Sequence, residues 1–312
     1  MMAVDKDINM EVGPTQNGAR LDYALREALE QAPWSRVRGW IESGKVFVDG
    51  EVVRDPGARV RAGQRVELRI TAPKPGSSVR LASTSIVFVD AHLVVVRKPP
   101  GINSIPFEPG ERGTLQEMVR SWLNRTAASR RDPAGGDLGV VHRIDRETSG
   151  LLVFTRTLAA KRGLDVQMTN HTVERRYLAL AHGHVAKRTV ENSLVRDRGD
   201  GVRGSTSDDR RGQRAVTHFV PVERLEGATL VSCRLETGRT HQVRIHLAES
   251  GHPLLGEKVY VRGLPGPFLS APRLMLHAAV LGFAHPVGGA QLRFEDPMPE
   301  DMQRVADSLR KR

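Results

Sequence analysis

The residues best suited to chemistry gather around Asp145, within His142-Arg143-Ile144-Asp145-Arg146-Glu147-Thr148-Ser149-Gly150. This carboxylate is flanked by Arg143 and Arg146 and leads into Leu151-Leu152-Val153, an apolar run that reads as a buried strand. A carboxylate in such company is either a salt-bridge anchor or a reactive group held ionised by its neighbours. Charge-flanked carboxylates cluster at functional sites, so a search for chemistry begins here. An ionised aspartate can attack a substrate carbon, stabilise a positive centre or remove a proton. Burial against substrate raises its pKa, and a nearby guanidinium opposes that by about one to three units.

Three further blocks stand downstream in fixed order. They are Glu174-Arg175-Arg176-Tyr177-Leu178-Ala179, then Thr237-Gly238-Arg239-Thr240-His241-Gln242-Val243-Arg244-Ile245-His246-Leu247, then Arg273-Leu274-Met275-Leu276-His277-Ala278. The third block continues into Gly251-His252-Pro253-Leu254-Leu255-Gly256 and Tyr260 before the fourth begins. With the Asp145 segment these blocks resemble the RluA-type RNA pseudouridine synthases over roughly residues 85 to 295, with Ile144 where that family usually has Leu. The resemblance implies isomerisation of uridine to pseudouridine, with neither redox change nor metal, so no cofactor is expected. It implies that Asp145 is the acting carboxylate. Attack on the sugar, attack on the base and abstraction of a sugar proton all stay open.

The same resemblance assigns roles to other residues, each with a plainer alternative. Arg239 would pair with Asp145, or with some other acid as a structural partner. Tyr177 would stack on the uracil and is a candidate base for the C5 proton, although a phenol with a pKa near 10 needs help at neutral pH; otherwise it is a core tyrosine. Leu276 would pack against the base, or simply fill the core. Arg143 would replace the uridine swung out of its stack, or contact a phosphate. His142 reads as a positioning or core histidine. Val96-Arg97-Lys98-Pro99-Pro100-Gly101-Ile102 matches the family's Lys-Pro-x-Gly stretch, but Asn103-Ser104-Ile105-Pro106-Phe107 departs from the His-Pro that often follows.

The elements that must position these residues can be sketched. Residues 1–17 are expected to be a disordered tail, lacking the order of a secretory signal. In residues 18–72, Leu21, Ala24, Leu25, Ala28 and Leu29 recur at helical spacing. Ser35 is a candidate cap for a second helix ending before Gly44, and Asp49-Gly50 predicts a hairpin turn between strands. Two helices and a small sheet resemble the S4 RNA-binding domain, carried by Arg20-Leu21-Asp22, Ser35-Arg36, Ile41, Gly44-Lys45-Val46 and Val48-Asp49-Gly50. By that resemblance Arg36, Arg38 and Lys45 face RNA; the alternative is a solvated basic face. Residues 73–84 read as a linker and 85–312 as the catalytic domain. There, Thr114 with Glu117 predicts a capped helix, Thr157 caps another, and a helix is expected near 240–250. Strands are expected near 86–90, 93–96, 138–141, 150–155, 177–181, 215–222, 229–235, 276–284 and 292–294. Residues 124–136 and 197–212 read as polar loops. Strands outnumber helices without regular alternation, so the fold class is α+β with a mixed, largely antiparallel sheet.

Composition narrows the function. The net charge of +11 and pI of about 10.4 point to a polyanion, and the excess is mostly arginine, which contacts phosphate bidentately. Aromatic content of 4% disfavours a binder working by base stacking alone. Cys233 is the sole cysteine, so there is no internal disulfide and no cysteine-rich zinc site, as expected of a cytoplasmic protein. No apolar run approaches membrane-spanning length. His241 and His246 are five apart, not the four a helical zinc pair needs. The resemblance implies an enzyme acting on structured RNA, ribosomal first and transfer RNA second; the expected protein is a monomer, away from membranes and without a small-molecule cofactor. Two competitors stay open: a non-catalytic S4-type RNA-binding or ribosome-assembly factor, and a histidine-based metal hydrolase.

Overall fold

The computed structural model describes residues 7–29, 32–53, 55–69, 81–107, 111–126, 138–208 and 210–310. It divides into two compact units, Met1–Ser78 and Val79–Arg312. Most of the expected linker lies outside the described residues, as do residues 127–136 of the expected 124–136 loop.

The N-terminal unit contains β1 (Ile8–Glu11), α1 (Leu21–Ala28), α2 (Trp34–Glu42), β2 (Val46–Val48), β3 (Glu51–Val52) and β4 (Arg65–Leu68). The strands form one antiparallel sheet in the order β1-β4-β2-β3. Leu21, Ala24 and Leu25 of α1 meet Val37 and Ile41 of α2 in one buried cluster, as the helical spacing requires. Asp49 and Gly50 both take positive φ, the geometry that a tight two-residue hairpin needs. Two expectations are corrected. Pro33, not Ser35, is the N-cap of α2, and Ser35 lies inside the first turn. The supposed tail contains β1, whose Ile8 and Met10 pack on the core while Asn9 and Glu11 face outward. Two apolar residues in alternation are too few to announce a strand within a polar stretch.

The larger unit runs through β5 (Ile86–Val89), β6 (Leu93–Lys98), α3 (Leu115–Arg125), β7 (Gly139–Val140), β8 (Ser149–Thr155), α4 (Leu158–Thr169) and β9 (Glu174–His182). It continues with β10 (Arg188–Val195), β11 (Gly204–Thr206), β12 (Gln213–Leu225), β13 (Ala228–Leu235), α5 (Gln242–Glu249), β14 (Leu276–Ala284), β15 (Gln291–Glu295) and α6 (Glu300–Arg310). One sheet has the path β11-β10-β12-β13-β9-β14-β8-β6-β5, with β15 on β14 and β7 on β8. Among the described residues, only β14 and β8 pair in parallel. The expected α+β class with a mixed, largely antiparallel sheet therefore holds. β10, β11 and α6 are additional to the expected elements, and β11 lies inside the stretch 197–212 read as a loop.

Every residue of β8 is buried, because the strand has core on both faces. Leu152 and Phe154 join the cluster under α3, while Leu151 and Val153 join the one under α4. Both predicted caps form: Thr114 Oγ1 accepts from Glu117 N–H and Thr157 Oγ1 from Ala160 N–H. Among the described residues, no helix is long and apolar enough to cross a membrane.

Candidate active site

The centre of the sheet, β8-β14-β9, builds the site. Asp145 lies in the turn entering β8, Tyr177 on β9 and Leu276 on β14. The parallel pairing sets Ser149 opposite His277 and Gly150 opposite Ala278, while Ala278 also pairs with Tyr177. This close approach needs a glycine. Gly150 has φ 112°, and a Cβ there would stand 2.3 Å from Ala278 O. Ser149 Oγ meets His277 Nδ1 at 3.0 Å and fastens the same junction. The Ser-Gly of the Asp145 segment is thus explained by strand pairing.

Lys98 fixes the other side of the turn. Its side chain is fully buried, and Nζ donates to Pro99 O, Ile102 O and Arg146 O at 2.8–2.9 Å. Burial pulls its pKa down to about 7. Gly101 N–H donates to Arg146 O, and Arg146 Nε returns a bond to Gly101 O. The Lys-Pro-x-Gly stretch therefore clamps the loop carrying Asp145. The departure that follows it also has local uses: Ser104 Oγ donates to Ile144 O, and Asn103 Nδ2 to Glu111.

Asp145, Tyr177, Leu276, Arg143 and Arg239 line one cleft of about 490 Å³, together with Arg175, His241 and Arg244. Asp145 keeps 21% of its side chain exposed. Its expected ion pair with Arg239 is corrected: Arg244 Nη1 is the guanidinium nitrogen at Asp145 Oδ2, 3.6 Å away. Arg239 instead donates from Nε to Arg214 O. The cause is local. His241 caps α5 in the left-handed region, φ 59°, so the chain turns before the helix starts and Arg239 falls outside it. Gln242 locks that turn by accepting from Thr237 Oγ1 and Arg239 N–H and donating to Val216 O and Thr217 Oγ1.

Arg244 is itself held by Glu257, whose carboxylate accepts from Nε and Nη2 at 2.7 Å each. Burial alone would raise the Glu257 pKa, but the bonds from Arg244 outweigh it and leave the acid below its ordinary value. His241 Nε2 lies 4.0 Å from Asp145 Oδ1, and its Nδ1 meets Tyr260 Oη at 2.7 Å. Burial holds the His241 pKa below its ordinary value, against the pull of Asp145.

Tyr177 is 9% exposed. Burial pushes its phenol up to about 12, with the Arg175 guanidinium acting in the opposite direction. Leu276 is buried beside it in the same cluster. Arg143 is exposed and donates from Nη2 to Thr240 Oγ1, linking the Asp145 turn to the loop before α5. His142 is neutral: Nε2 accepts from Val153 N–H, and burial pulls its pKa down to about 3. It braces β8 and does not exchange protons near pH 7. His246 is equally committed, to Asn192 Oδ1.

Glu257, Arg244 and Arg175 were missing from the expected site. No signal in the sequence singled out Arg244; the structure gives its reason. Every residue of α5 from Gln242 to Ala248 is buried. A charged residue in a helix with no solvent face must find a partner, and Arg244 is that residue.

The other three expected residues belong to the N-terminal unit. Arg36 is exposed and Lys45 partly buried. Arg38 is tied down: its Nε donates to buried Asp22 at 3.1 Å, and its guanidinium lies 5.5 Å from the Trp34 ring centre.

Comparisons with known proteins agree with this architecture. A family model described as RNA pseudouridylate synthase matches residues 92–249, and an S4 domain model matches residues 19–66. Ribosomal large subunit pseudouridine synthase D of Zymomonas mobilis is 38% identical over 296 residues, covering 92% of each chain. The uncharacterized RNA pseudouridine synthase YlyB of Bacillus subtilis is 37% identical over 315 residues, covering 97% of this chain and 98% of its own. Among solved structures, human RNA Pseudouridylate Synthase Domain Containing 4 is similar in fold, with TM-score 0.58 and 21% identity over 73% of this chain and 93% of that one.

Proposed function

The chain belongs to the RNA pseudouridylate synthase family, and from that membership we propose that it isomerises uridines of large-subunit ribosomal RNA, using Asp145 as the acting carboxylate. The observation that carries the catalytic assignment is the state of Asp145. It is a partly exposed carboxylate, in a cleft, beside a guanidinium that Glu257 already holds. The RNA target is inferred from relatives named for the large ribosomal subunit.

The cleft supports the following course. The target uridine leaves its stack, and Arg143, exposed at the mouth, takes its place. The uracil lies against Tyr177, with Leu276 behind it. The N1–C1′ bond breaks, Asp145 meets the positive charge arising on the sugar, the ring turns, and C5 joins C1′. Arg244 gives Asp145 a counter-charge at 3.6 Å, and Glu257 keeps Arg244 in place. Burial keeps Tyr177 a protonated phenol near neutral pH, with no phenolate to take the C5 proton, so its service is stacking. Residues 18–72 act as the RNA-binding module and residues 85–312 as the synthase, in the cytoplasm.

The decisive experiment maps pseudouridine across all stable RNAs of cells with and without the protein, and of cells carrying Asp145→Asn. Sites in large-subunit RNA that vanish in both deficient strains support the reading. Sites in transfer RNA would redirect it. If Asp145→Asn restores every site and every phenotype, the protein works as a binding or assembly factor and Asp145 is not catalytic.

A further inference from the structure

Arg175 has no role in the reaction above, yet its guanidinium is buried in the cleft wall with few partners. Its residue is 8% exposed. Among the described residues its guanidinium makes one hydrogen bond, Nη2 to Glu236 O at 2.8 Å, and the buried Nε has no acceptor. No carboxylate pairs with it among those residues. A buried cation without a counter-ion is costly unless something negative arrives.

Its position says where the negative charge would be. Arg175 and Tyr177 are two residues apart on β9, so they share a face, and both line the cleft. Gly238 makes room for the guanidinium: a Cβ there would stand 2.4 Å from Arg175 Nη1. The other cations at the cleft are placed differently. Arg244 is bound to Glu257, while Arg143 and Arg239 are exposed and suited to phosphates.

We propose that Arg175 is a catalytic residue that stabilises the detached uracil, drawing its guanidinium to a ring carbonyl as that oxygen becomes negative. This rests on the synthase reading above. When N1–C1′ breaks, its electron pair stays on the ring and the charge spreads over O2 and O4. C5–C1′ then forms, the C5 proton leaves, and N1 gains a proton, so the product is an isomer and no co-reactant is needed. A fixed donor aimed at charge that exists only after bond breaking accelerates the step without tightening substrate binding.

The test is single-turnover conversion of an unmodified large-subunit RNA transcript by wild type, Arg175→Lys and Arg175→Met, with RNA affinity and thermal unfolding measured alongside. A second transcript carries 5-fluorouridine, whose more acidic ring leaves more easily; N1–C1′ cleavage is read on both. Loss of one such donor typically costs about 10²–10³ in rate. Arg175→Met should be slower by about that factor with RNA affinity within about twofold, Arg175→Lys should recover much of the rate, and the Met deficit should shrink at least about tenfold on 5-fluorouridine RNA. A Met deficit equal on both transcripts, or shared in full by Arg175→Lys, makes Arg175 structural and overturns the inference. Weakened affinity at unchanged rate makes it a phosphate contact and also overturns it. If wild type converts no transcript, the synthase reading itself has failed, which is a separate outcome.

Discussion

Two aspartates in this chain are surrounded by arginine and end in opposite states. Asp22, in the N-terminal unit, is 1% exposed and receives two guanidiniums, Arg20 at 2.9 Å and Arg38 at 3.1 Å. Asp145 is 21% exposed and receives one guanidinium, at 3.6 Å, already bound twice to Glu257. The first cluster has two cations for one acid, so the carboxylate is spent on structure. The second has two acids for one cation, and the acid less tightly held is the one facing the cleft. Arginine beside a carboxylate is therefore no sign of reactivity. What separates the two sites is how many acids share each cation and which of them sees solvent.

The sharpest way to break that comparison is at Asp145. Asp145→Asn keeps the shape of the turn but removes the charge, and conversion should fall by at least about 10³-fold in a single-turnover assay. The same change at Asp22 should be read in stability. Activity retained by Asp145→Asn would place both aspartates in the structural class.

The next largest effect is expected at Glu257, where the second acid is removed. Its side chain is fully buried and that of Arg244 is 10% exposed. Breaking a buried pair strands a charge, at a cost of about 3–5 kcal/mol. Glu257→Gln should lower the urea midpoint accordingly. It should also slow conversion, because Arg244 is freed to close on Asp145 and occupy the carboxylate proposed to meet substrate. A variant of full stability and full rate would show that Glu257 does not set the Arg244 position.

Much of this site was readable in sequence, and the limit is instructive. Asp145, Tyr177, Leu276, Arg143 and Arg239 come from four separate blocks and reach one cleft, because each block closes a contact that cannot be moved. Gly150 allows the β8–β14 pairing and Gln242 locks the turn before α5. The choice of Arg244 over Arg239 was not readable. It depends on the left-handed conformation of His241, which decides what lies inside the helix, and the enrichment of histidine in that region is too weak to announce it. Elements show the same division. α6 carries a plain signal in Met302, Val305, Ala306 and Leu309, at spacings of three and four. β10 carries little, since polar and charged residues occupy both faces along most of its length. Its place comes from the seven-residue register with β12.

Removing the spent acid should cost less. At Asp22, burial alone would raise the pKa, but the bonds from Arg20 and Arg38 leave it below the ordinary 3.8. A carboxyl whose folded pKa is depressed stabilises the fold fully above its unfolded pKa, and that contribution fades as pH falls through 3.8 toward the folded value. Both arginine partners are about half exposed, so solvent discounts the pair to about 1–2 kcal/mol. Asp22→Asn should show that loss at pH 7 by chemical denaturation, and its difference from wild type should narrow as the medium is acidified below pH 4. A difference that stays constant with pH would mean the carboxylate charge is not what holds α1 to Arg38.

The smallest effect separates Arg38 from its neighbour Arg36. Both were expected to face RNA, but Arg38 is bound to Asp22 and lies over Trp34, while Arg36 is exposed. A phosphate contact reports itself through salt: losing one reduces the slope of log affinity against log salt by about 0.7–0.9. Arg36→Ala should weaken RNA binding several-fold at low salt, flatten that slope by about one contact, and leave stability unchanged within about 0.5 kcal/mol. Arg38→Ala should do the reverse, lowering stability because Asp22 loses a partner. Its salt slope should change less than that of Arg36→Ala, since a guanidinium bonded to a carboxylate has fewer donors left for phosphate. Equal slopes in the two variants would mean that the Asp22 cluster opens on binding RNA, and that its arginine is lent to the complex as Arg244 is shared in the cleft.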